Sequence, residues 1–155
     1  MTRNNPRTWI WIFVMVEFVG VAVDALWHGV LHRDFDPGTL PEMVRHLATV
    51  HLPLYIGVLG LLGSTTWALL ARIKRGKADI ALSLAVMGAA VQTVGEAWHA
   101  YSHLMLRPNP LPELFGFIGL LTVIVSMLGS RRALRERPEE AASAHREHRP
   151  SRGSG

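Results

Sequence analysis

From Leu52 to Ala71 the chain reads LPLYIGVLGLLGSTTWALLA, without one charged side chain. The hydrocarbon core of a bilayer asks for roughly 20 mostly apolar residues of helix, and this stretch meets that requirement on its own. Lipid offers no water to pair backbone N–H and C=O groups, so such a segment must be helical. Gly57, Gly60 and Gly63 would weaken a water-exposed helix, whereas in a membrane small residues let neighbouring helices approach closely.

Three further stretches share this character. Trp9 to His32 is interrupted only by Glu17, Asp24 and His28; Ile80 to Gly95 is uncharged and runs on through Glu96 to Leu106; Leu114 to Ser130 is uncharged. Across all 155 residues, 49% are hydrophobic and 18% charged, against about 25% charged in a soluble domain. The mean hydropathy of +0.21 agrees. The sequence therefore predicts an all-α integral membrane protein, a four-transmembrane-helix antiparallel bundle. Its helices are expected at about 8–32, 41–72, 78–106 and 111–135 in one transmembrane domain over 1–135, with a disordered basic tail over 136–155.

Basic residues predict the orientation. Arg3 and Arg7 precede helix one, Arg72, Lys74, Arg75 and Lys77 fill the second loop, and Arg131, Arg132, Arg135 and Arg137 follow helix four. Four spans put all three clusters on one side, which the positive-inside rule makes cytoplasmic. The expectation is a multi-pass protein of the cell (inner) membrane with both termini inside. A cleaved leader over 1–22 would need a small-residue cleavage site and no Glu17 within its apolar run. Because the positive charge of +4 is explained by membrane topology, no nucleic-acid partner is expected.

The chain has 8 His and no Cys. Disulfide-stapled folds, zinc-thiolate sites, cysteine-held iron–sulfur clusters and a catalytic Cys are thereby excluded. His145 and His148 belong to the tail. The other six, His28, His32, His46, His51, His99 and His103, lie on the first three predicted helices. At about 100° per residue, Glu17, Asp24 and His28 share an arc of about 40°, with His32 about 40° further on. Gln92, Glu96, His99 and His103 share about 60°. His46 and His51 would splay by about 140° on a regular helix, unless Pro53, which a helix interior does not accept, bends the chain between them. Depth points to convergence. At 1.5 Å per residue, Asp24 and His28 lie roughly 22 and 28 Å from the cytoplasmic start of helix one, and Glu96 and His99 roughly 27 and 31 Å from that of helix three. His46 and His51 lie roughly 7 and 15 Å below the outer surface. All come to the outer half of the bundle.

Ionisable side chains inside a membrane are costly and default to function. Imidazole and carboxylate without sulfur suit iron, copper(II), zinc or manganese. Asp24, His28, His32, His46, His51, Glu96, His99 and His103 are the candidate metal ligands, and Glu17 and Glu96 the candidate catalytic carboxylates that would move protons. Glu96-x-x-His99 is an i, i+3 pair; His28/His32 and His99/His103 are i, i+4 pairs that can chelate from one helix face. The run EAWHAYSH resembles the Glu-x-x-His ligand pair of ferritin-like di-iron proteins, which use two such pairs where this chain has one. The run DALWH with its later His resembles the Asp-x-x-x-His plus His copper motif in the C subunit of particulate methane monooxygenase, with a different following spacing. Both resemblances imply a metal held by helix side chains.

Plainer readings apply elsewhere. Gln92 reads as polar glue between helices. Trp9, Trp11, Trp27, Trp98 and Tyr101 read as interfacial belt residues, and Met15, Met87 and Met127 as packing. Glu113 suits the N-terminal dipole of helix four and could cap the cavity. The expected function is a membrane metalloprotein with a mono- or dinuclear site of iron or copper, zinc being possible. It would act as a redox or oxygen-dependent oxidoreductase on a quinol or another hydrophobic small molecule from the bilayer. Alternatives are a haem b electron carrier with His axial ligands, a divalent-metal or proton-coupled transporter, and an accessory subunit without metal. A homo-oligomer, through the Gly-rich face of helix two, or a larger membrane complex is compatible with each.

Overall fold

The computed structural model describes residues 6–31, 37–77, 79–107 and 109–147, with side chains described as far as Ser130. Among the described residues it is all-helical. The elements are α1 (Pro6–Leu26), continued by one π-helical turn (Trp27–Leu31), then α2 (Leu40–Thr49), α3 (Leu52–Ile73), α4 (Ile80–Leu104) and α5 (Leu111–Glu147). Four stretches, Pro6–Leu31, Leu52–Ile73, Ile80–Leu104 and Leu111–Ser130, are long and apolar enough to cross a membrane. The chain thus has the make-up of a membrane helical bundle. The backbone of α5 stays helical beyond Ser130, through much of the segment that the sequence assigns to the tail.

The predicted second helix, 41–72, is two helices. Proline has no N–H to give to the residue four back, and its ring clashes with that carbonyl. The α2 ladder stops before Pro53, with Val50 N–H reaching the His46 carbonyl at 2.8 Å. Pro53 then occupies the first turn of α3, where a missing N–H costs nothing. His51 caps the new helix, and its carbonyl accepts from Tyr55 N–H at 3.0 Å. Pro41 opens α2 in the same manner.

Helices pack where side chains are smallest. α1 pairs with α3, and α4 with both α5 and α3. A Cβ placed on Gly57 would lie 2.7–2.8 Å from Glu17 N, Cα and Cβ, and one on Gly20 2.5–2.6 Å from the Leu54 backbone. Gly88 and Gly119 face each other across α4 and α5 in the same way. Gly57 and Gly60, the latter against Phe13, are therefore taken up within the chain, while Gly63 meets nothing within 4 Å. The apolar core is Ile10, Val14, Leu61, Ala68, Leu82, Ala85, Ala89, Leu120, Val123 and Met127. Of the three methionines read as packing, Met127 is buried there, whereas Met15 and Met87 are exposed on the outside. That outside is apolar, with Leu59, Val94 and Phe117 more than half exposed, as a lipid-facing surface must be.

The two ends of the bundle differ. At one, Asp79 caps α4, its carboxylate accepting from Leu82 N–H at 3.2 Å and from Arg72 Nε at 3.3 Å, with Arg7 at 3.7 Å. After α3 the chain turns through Gly76 at φ 67, a left-handed position that glycine takes without strain. The histidines gather at the other end.

Candidate metal centre

Three features of local folding aim the histidines. α1 loosens into its π turn at Trp27–Leu31, which contains His28; such turns recur at functional sites. The break before Pro53 removes the splay that a regular helix would impose on His46 and His51, and their ring centroids lie 4.9 Å apart. On α4, positions 99 and 103 share a face, and their rings lie 4.4 Å apart.

The result is one connected cluster. His28 meets His46 at 5.0 Å between centroids, and His51 lies 5.6 Å from His99 and 5.9 Å from His103. Asp24 joins the two halves. Its Oδ1 stands 3.5 Å from His28 Nε2 and 3.3 Å from His51 Nε2. Asp24, His28 and His46 each offer a ligand atom within 4.8 Å of the other two, an arrangement that could hold a metal ion. His51 is the hub. It is 1% exposed and touches residues from α1, α2 and α4. It lies between α2 and α3, outside the four spans. Burial first, then the neighbouring histidines, pull its pKa down to about 3, so its imidazole is neutral, the form that binds metal.

Several polar atoms here are buried without a hydrogen-bond partner among the described residues, including Asp24 Oδ1, His51 Nδ1, His99 Nδ1 and the Tyr55 hydroxyl. Buried polar groups are nearly always paired. Imidazole nitrogens gathered around a carboxylate oxygen have the donor chemistry of a transition-metal site, and on that ground the residues fit a metal ion.

Glu17 lies on α1, and Glu96 lies on α4 three residues before His99. They line an adjoining cavity of about 340 Å³ together with Asp24, Gln92, His99, Glu113 and Gly116. Gln92 Nε2 donates to Glu17 Oε1, tying α4 to α1. Gly116 makes room for Glu96, since a Cβ there would lie 2.7 Å from Glu96 Oε1. His32 lies outside the described residues. Three contributors were not singled out as site residues from sequence. Tyr55 stacks on His51 at 6.0 Å; Trp27, read as a belt residue, packs on His46 at 5.8 Å; Glu113 Oε1 stands 3.7 Å from His99 Nδ1. Only Glu113 had a sequence signal, as an acidic residue opening a helix.

No family model, curated protein or solved structure matches this chain.

Proposed function

We propose that the protein is an integral membrane metalloprotein whose ion is held by Asp24, His28 and His46, with His51, His99 and His103 positioned to complete the site or to hold a second ion. The closure of three ligand atoms within 4.8 Å carries this reading. Two donors come from the end of α1 and one from α2, so the bundle itself brings them together. The lack of cysteine and the mixed N/O donor set favour iron or copper, with zinc next. Ring centroids 4.4 to 5.9 Å apart favour a bare ion over haem b, whose two axial imidazoles must stand on opposite faces of a macrocycle.

Iron or copper bound there would supply electron transfer and dioxygen chemistry, making the protein an oxidoreductase. The chain's own residues would keep the His51 imidazole neutral and orient His28 and His51 through the Asp24 carboxylate. Contacts between α1 and α3 run in opposite chain directions, Gly20 with Leu54 and Gly60 with Phe13. That supports an antiparallel bundle with the Arg7/Asp79/Arg72 end on the cytoplasmic side of the inner membrane and the histidines near the outer face. A quinol or another hydrophobic reductant would then reach the site from the bilayer.

Elemental analysis of detergent-purified protein tests the reading. Between one and two transition-metal ions per chain are expected, from the number of donors each ion needs, with a marked loss in His46→Ala. Native protein without stoichiometric metal would overturn it, and a Soret band in the visible spectrum would replace it with the haem alternative.

A further inference from the structure

We propose that the cavity between α1, α4 and α5 is a second ion site, for a hard divalent cation that keeps part of its water. It goes beyond the histidine-centred reading and does not depend on it.

The closed end of the cavity sets the chemistry. Glu17 and Gln92 line it, and each is 1% exposed. Gln92 spends its amide nitrogen on Glu17 Oε1. That bond leaves Gln92 Oε1 and Glu17 Oε2, and neither has a hydrogen-bond partner among the described residues. Glu96 Oε2, on the same lining, has none either. Three acceptor oxygens on residues lining one cavity thus lack a hydrogen-bond donor, and among the described residues no Lys or Arg lines it. Buried acceptors are costly to leave unmet, and carboxylates in a low-dielectric interior more so. What the lining lacks is positive charge.

The kind of charge follows from the donors. Two carboxylates and an amide carbonyl are hard oxygen ligands, suited to calcium or magnesium rather than to the metals that favour imidazole. Among the described residues, only Asp24, His28 and His46 close to within 4.8 Å as a group of three ionisable ligands, so the protein does not cage an ion in the cavity by itself. Water must complete the shell, and about 340 Å³ leaves room for it at about 30 Å³ per molecule. The space is built in: glycine at 116 is what lets the Glu96 carboxylate stand there. Seven positions separate Glu17 from Asp24 along α1, about 10 Å of helix. The cavity therefore reaches from the buried pair to the edge of the histidine cluster, where exposed Glu113 adds negative charge at the mouth.

Calcium is the useful probe, because imidazole binds it poorly while carboxylate and carbonyl bind it well. Equilibrium dialysis of the full-length protein in detergent against labelled Ca²⁺ is expected to show one saturable ion per chain. Binding should weaken at least about tenfold in Glu17→Gln and in Glu96→Gln, which keep side-chain shape, by analogy with the loss of one charged partner in a metal shell. Gly116→Ala, which crowds Glu96 without removing any ligand group, should weaken it as well. In His46→Ala the Ca²⁺ should stay while transition metal falls. Absence of saturable Ca²⁺ means the cavity holds only water and overturns the proposal, as does Ca²⁺ that follows His46 and ignores Glu17. Native protein with Ca²⁺ but no transition metal would instead sink the histidine-centred reading alone.

Discussion

The two ends of the bundle spend their charges differently. Around Asp79, the pairing is conventional: a helix N-terminus and two arginines meet one carboxylate. Around Asp24, a carboxylate and five imidazoles crowd together, with Asp24 Oδ1 3.5 Å from His28 Nε2 and 3.3 Å from His51 Nε2. Between them lies an apolar core built from Ile10 to Met127 and from glycines at the helix contacts. The difference teaches that the Asp79 end uses its charges to cap a helix and pair two arginines. The Asp24 end instead gathers its ionisable groups in an arrangement that could hold a metal ion.

The comparison breaks most visibly at Asp24. Asp24→Ala removes the one oxygen that stands near both His28 and His51, and metal affinity should fall about 100-fold or more, since even outer-shell partners cost 10–100-fold. Helical content by circular dichroism should be kept. A variant that retains full metal would show that the carboxylate is not part of the centre.

Gly57→Ala probes the middle. Its new Cβ would press on Glu17 N, Cα and Cβ at 2.7–2.8 Å, forcing α1 and α3 apart at a cost of about 1–3 kcal/mol. Thermal unfolding in detergent measures this; an unchanged midpoint would mean that α1 and α3 do not pack through this face.

Much of this was legible beforehand. Uncharged runs such as Leu52–Ala71 announced the spans because lipid imposes one simple demand on composition. The stripes of Asp24 with His28, and of Glu96 with His99 and His103, followed from helical period alone. What the pattern left open was the chain between periods. The relation of His46 to His51 depended on how Pro53 divides the helix, which no angle per residue supplies. Glu96 could not be separated from the histidines either. Gly116 on α5 makes room for its carboxylate in a cavity that Glu17, Gln92, Asp24 and His99 also line. Tyr55 and Trp27 carry no charge and gave no sign of where they pack.

Two smaller effects sharpen the contrast from the conventional end. Asp79→Ala removes a helix cap, and should cost about 1 kcal/mol while metal content by elemental analysis stays at the native value. Arg72→Ala breaks only a half-exposed ion pair, and its unfolding midpoint should match the native one within about 0.5 kcal/mol. Metal lost in Asp79→Ala would mean that the two ends are energetically coupled.

His51 stands where the chain pauses between two helices, with Asp24 behind it and His99 and His103 ahead of it in sequence. This makes the full five-histidine cluster a late product of synthesis, although Asp24, His28 and His46 come early. Asp24 and His28 emerge from the ribosome first and wait, within a hydrophobic segment, through the making of α2 and α3. Only when α4 has joined them does the imidazole cluster exist, and only with α5 does the neighbouring cavity gain its last wall. Asp24, His28 and His46 are all present once α2 is made, and a nascent chain arrested before α4 lacks only His99 and His103 of that cluster.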